Sequence, residues 1–178
     1  MGQVRRFLLA IALLGAGSWA AGPARVAMAA NCAAVSHQAT LTAAIASVNA
    51  GSCDTIVFSA GTTSITLSAE LPAITKSATI AGPGRDQLTI TGYEYAMAVF
   101  TATDGHLMVR DLSIAADYHA IEVANASALT VERVTTSASD SGVYAQVSGG
   151  PVTITDVTAV GGGVHIYEGG SSVTVTRP

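Results

Sequence analysis

From about residue 96 the chain keeps a beat of 21 to 23 residues, and this beat restricts the fold more than any other feature. Val99, Ile121, Val143 and Val164 lie 22, 22 and 21 residues apart, and Leu107, Leu129, Val152 and Val173 follow at 22, 23 and 21. Val109, Val131, Ile154 and Val175 keep the same interval, as do Leu112, Val134 and Val157. Each repeat carries short runs with aliphatic residues at alternate positions, separated by Gly, Ser and Asp. One such unit cannot bury its own apolar face. Stacking the next coil ~4.8 Å above it pairs each strand with its copy and piles aliphatic on aliphatic. Only the inward positions are then constrained, so the rhythm persists while the residues between are free. A β-sandwich has connections of varied length and shows no fixed column at this interval. A leucine-rich repeat needs a Leu consensus and an Asn column, and both are missing. The expectation is an all-β parallel β-helix of four to five coils.

The first residues read differently. Arg5 and Arg6 precede the apolar run FLLAIALLGAG, and a small-residue stretch follows with Ala27 and Ala29 in A-x-A spacing. This is the pattern of a secretory signal peptide over residues 1–29. The run is shorter than the ~20 apolar residues of a membrane anchor, so no span is expected after cleavage. Arg5-Arg6 leaves general and twin-arginine export both open. The remaining 149 residues hold five basic and twelve acidic side chains, a difference of −7. A surface so acidic and poor in lysine argues against nucleic acid as a partner. Cys32 and Cys53, the two cysteines, are expected to form a disulfide in an exported chain.

Residues 40–50, TLTAAIASVNA, predict the one helix, with Thr40 or Thr42 as cap, Leu41, Ala44, Ile45 and Val48 as apolar stripe, and Asn49 with Gly51 as stop. TIVF, SITLS, ATIAG and LTITG then read as short strands between turn residues. The expected organisation is an N-terminal cap over 30–76 and coils over 77–178. No C-terminal cap is evident after the strand that ends at Arg177-Pro178, so the expectation is either self-association through the last coil or a natural gene that continues beyond Pro178.

The segment ATLTAAIASVNAGSCDTIVFSAGTTSITLSAELPAITKSATIAGPG resembles the N-terminal cap of exported bacterial β-helix proteins of the pectin lyase-like superfamily. The later GGGV at 161–164 is similar to the openings of their coils. The likeness covers residues 39–178. It implies a right-handed, single-stranded parallel β-helix, secreted or at the cell surface, with a polysaccharide or cell-surface glycan lying along the outside of one sheet. Ala39 to Ala44 departs from the related CSLREA cap by lacking its Cys, Arg and Glu. Because the superfamily includes lyases, hydrolases, adhesins and inert spacers, it implies the fold far more narrowly than the function.

Two columns could carry chemistry. Asp111, Arg133 and Asp156 fall at one repeat position and predict a charge ladder that holds register, each exposed pair worth ~0.2–1 kcal/mol. If Val99, Ile121, Val143 and Val164 point inward, alternation sends Phe100, Glu122, Tyr144 and His165 outward, with Tyr167 on the same face. Rings there stack on sugars while Glu and His supply hydrogen bonds. Catalytic candidates are Glu122, Arg133 as a lyase base, and His165. A glycosidase wants two carboxylates at a defined separation, and Asp117 or Asp140 is the partner only if a turn brings it close. Asp117, His119 and Glu122 fall on different strand faces, which argues against a metal site, and no cofactor motif is present. The expected role is structural, adhesive or glycan-contacting, with a polysaccharide lyase or glycoside hydrolase as the alternative.

Overall fold

The computed structural model describes residues 30–168 and 172–176, so the predicted signal segment and Arg177-Pro178 lie outside the described residues. One helix, α1 (Gln38–Ala50), precedes ten strands. They are β1 (Thr55–Val57), β2 (Ser64–Thr66), β3 (Ala78–Ala81), β4 (Thr89–Thr91), β5 (Ala98–Ala102), β6 (His106–Ala115), β7 (His119–Ala126), β8 (Ala128–Val147), β9 (Val152–Glu168) and β10 (Val173–Thr176). Every pairing between them is parallel. The chain winds into a β-solenoid of about five turns.

The pairings sort into three faces around one apolar centre. On the first, Ile56, Ile80, Val109, Val131, Ile154 and Val175 stand in one file, and Leu107, Leu129, Val152 and Val173 in another. On the second, Ile65, Ile90, Ile114, Thr136 and Ala159 line up. On the third, Phe100, Ile121, Val143 and Val164 form one file, and Ala102, Val123, Ala145 and Ile166 the next. β6, β8 and β9 are long because each turns a corner between faces without losing its ladder. The corner from first to second face is made by Asp111, Arg133 and Asp156, all left-handed at φ 59°, 51° and 52°. That conformation turns the strand in one residue, at a cost of roughly 1–2 kcal/mol for a residue with a Cβ.

Three predicted files stand in the expected register, and the fourth shifts by one. The partner of Ile121 is Phe100, not Val99, so Phe100 points into the core and is 1% exposed. Thr101 takes the outward place opposite Glu122 that was expected of Phe100. The spacing across this pairing is 21 rather than 22, and one residue of slip inverts a strand's faces. Val99 is buried too, because Ala98, Val99 and Phe100 are consecutively buried where the chain turns onto the third face.

α1 closes the first coil with Leu41, Ala44, Ile45 and Val48. It begins at Gln38, two residues before the expected start, because Thr40 acts from inside the first turn. Its Oγ1 accepts the N–H of Ser36 at 3.0 Å and of His37 at 3.1 Å, and donates to the His37 carbonyl at 2.8 Å. The stop is Gly51 at φ 77°, whose N–H reaches the Val48 carbonyl while that of Ser52 reaches Ser47. Asn49 instead ties the helix to the coil below. Its amide donates to the Ala73 carbonyl at 2.8 Å, and its Oδ1 accepts the N–H of Thr75 at 2.9 Å. Cys32 and Cys53 are disulfide-bonded, closing a separation of 21 residues worth ~3 kcal/mol in the loop-entropy picture.

Candidate functional site on the third face

The outer surfaces of the three faces differ in chemistry. The second presents Ser64, Thr66, Thr89, Thr91, Thr135 and their neighbours, hydroxyls that suit a strand and carry neither charge nor ring. The first mixes threonine with Arg110 and Glu132. The third carries the rings. Its outward file is Thr101, Glu122, Tyr144 and His165, one residue per coil, and Gln146 and Tyr167 pair beside it.

Four rings on three successive coils form a connected run. Tyr118 and His119 meet at 4.3 Å between centroids, His119 stacks on Tyr144 at 5.0 Å and 19°, and Tyr144 meets Tyr167 at 5.4 Å. Tyr118 is 41% exposed and Tyr167 56%, whereas His119, held between two tyrosines, is 5% exposed. The Gln146 amide donates to the Tyr144 hydroxyl at 3.2 Å, fixing the central ring from its far side. One coil earlier, in the loop leading to β5, Tyr93 and Tyr95 pack edge to face at 5.6 Å, with Tyr95 exposed.

A polar cluster lies under the rings. Ser141, completely buried, has its Oγ 2.9 Å from Asp140 Oδ2 and 3.1 Å from His165 Nδ1. An ionised carboxylate only accepts, so the single hydroxyl proton goes to Asp140 and His165 must donate from Nδ1. His119 Nδ1 lies 3.4 Å from Asp140 Oδ2 without hydrogen-bond alignment, a buried ring nitrogen with a carboxylate neighbour and no hydrogen bond.

This geometry bears on each catalytic candidate. Ser141 resembles a nucleophile in its neighbours alone: it is sealed from solvent, and its hydroxyl donates to Asp140. Glu122 and His165 share a file but stand two coils apart with Tyr144 between them, roughly 10 Å along the ladder. Arg133 sits on the far corner, bound to Asp111 through Nε at 2.5 Å and Nη2 at 3.0 Å. Those hydrogen bonds, with the charge of Asp111, raise its pKa further, which is the opposite of what a base requires. The expected ladder through Asp111, Arg133 and Asp156 is interrupted, because Asp156 pairs with Arg85, which reaches along the corner from the GPGRDQ turn. No group of three or more metal-ligating side chains is found among the described residues.

The sequence placed Glu122, Tyr144, His165 and Tyr167 on this face and misplaced Phe100. Tyr118, His119, Asp140 and Ser141 join them across coils, and the period itself is the signal that could have found the link: His119 pairs with Ser141. Concavities lie beside the disulfide, around Ser52, Asp54, Lys76 and Asp104, and beneath loop 58–63, away from the rings. Comparison with protein-family models, with curated proteins and with solved structures finds no match.

Proposed function

We propose that this chain is an exported, pectin lyase-like β-helix protein whose third face contacts a glycan, in a structural or adhesive role. One observation carries the reading: Tyr118 and Tyr167, exposed on one face and linked through half-buried Tyr144 and buried His119, with Glu122, Gln146 and His165 beside them. Pyranose rings offer an apolar face for stacking and a hydroxyl rim for hydrogen bonds, and an aromatic platform flanked by polar groups meets both. The rise of one coil, ~4.8 Å, is close to the advance of one sugar in an extended polymer, so the chain axis of a glycan matches the solenoid axis. Export is supported by the paired cysteines and by the signal-like first residues.

Affinity electrophoresis of the purified chain through neutral, amino-sugar and uronate polysaccharides tests the reading, alongside assays for reducing ends and unsaturated products. Retardation without turnover, cut about fivefold or more by Tyr144→Ala, is the expected result, since stacking rings carry ~1 kcal/mol each. Turnover abolished by Glu122→Gln would replace this reading with the lyase or hydrolase alternative.

A further inference from the structure

The charge of the third face restricts which glycan fits it. Its four strand segments, 98–102, 119–126, 141–147 and 163–168, contain no Lys or Arg. Among the described residues, the arginines that follow the cap lie on the opposite corner and are occupied: Arg85 with Asp156, Arg133 with Asp111 and Glu132, Arg110 with Asp111. Carboxylates, by contrast, flank the rings. Glu122 stands in the outward file directly beside Tyr144, and Asp140 sits at the register shift of β8, next to His119, with its side chain 40% exposed. Its Oδ2 is engaged by Ser141, and Oδ1 makes no hydrogen bond within the described residues.

Resting on the glycan-contact reading above, we infer that this face selects cationic amino-sugar polymers and rejects polyuronates. A protonated sugar amine supplies three donors and a positive charge. Glu122 and Asp140 supply acceptors for it, and the exposed rings of Tyr118 and Tyr167 attract it through their quadrupoles. A uronate brings a carboxylate to strands that carry no Lys or Arg to receive it, beside Glu122 and Asp140. The buried His119 nitrogen strengthens the assignment. It lies against Asp140 without a hydrogen bond, so it leaves the carboxylate's accepting capacity to an incoming donor.

Isothermal titration of the full chain with three hexasaccharides, of glucosamine, N-acetylglucosamine and galacturonic acid, tests this at mildly acidic pH where the amines are charged. The glucosamine hexamer should bind about tenfold or more tighter than its N-acetylated counterpart, the size of one charge-assisted hydrogen bond, and the uronate should not bind. Its affinity should fall with added salt. Asp140→Asn and Glu122→Gln, which keep shape, should erase the preference while retaining residual binding, with circular dichroism confirming the fold. Equal binding of the N-acetylated or uronate hexamer, or affinity indifferent to salt, would overturn the inference and leave the glycan-contact reading standing. Absence of binding by all three, unchanged in Tyr144→Ala, would remove both.

Discussion

At the scale of single residues, two positions oppose the logic of their surroundings and can be tested by substitution. Thr136 stands between Ile114 and Ala159 in an inward file, fully buried, with its hydroxyl lacking any hydrogen-bond partner. A buried hydroxyl left unpaired costs about 1–3 kcal/mol, and valine has the same outline without it. Thr136→Val is therefore expected to raise stability by ~1 kcal/mol in urea denaturation. Asp111 is the second. Hydrogen bonds from Arg133 hold its carboxyl below the usual carboxylate range despite opposing burial. A carboxylate whose pKa is depressed by folding contributes stability above its unfolded value, near ~3.9, and loses that contribution as pH falls through the folded value. Asp111→Asn keeps the left-handed backbone at φ 59°, which asparagine tolerates, and removes only the charge. The variant should be less stable by ~0.5–1 kcal/mol at neutral pH, with the difference shrinking as acid melts are taken down through and below the usual carboxylate range. A constant difference at every pH would show that the ion pair is not the cause.

At the scale of the element, the solenoid depends on turns that let one coil lie closely over the next. Between third and first faces, the N–H of Ser127 donates to the Gly105 carbonyl at 2.8 Å, and a Cβ placed on Gly150 would stand 1.4 Å from the Ser127 carbonyl oxygen. No rotamer relieves a clash with backbone. Gly150→Ala is expected to cost more than ~2 kcal/mol by thermal melting, well beyond the usual penalty for alanine at an open turn. The element scale also explains what could be read in advance. The files through Leu107, Val109 and Leu112 were legible because strands turning the first corner keep a nearly constant length, so spacing alone carries the register. The third face was legible only in part. The entry into β5 breaks alternation with three buried residues in succession, which hides Phe100 behind Val99. The helix was found by its stripe, whereas its start was misjudged because Thr40 caps from within.

At the scale of the whole molecule, three faces wound on one core present three different chemistries to solvent, and one of them gathers the rings and flanking carboxylates. The cluster of His119, Asp140, Ser141 and His165 was invisible in linear order because His119 lies 21 residues before Asp140 and His165 lies 24 after Ser141, and they meet only through stacking. The most direct test of the account is backbone amide NMR of the full chain titrated with the glucosamine hexamer. The account predicts shift changes concentrated at residues 118–122, 140–146 and 163–167, with the hydroxyl face around Thr89, Thr91 and Thr135 unmoved. Shifts centred on that hydroxyl face or on the disulfide end, with the ring-bearing coils unchanged, would contradict it.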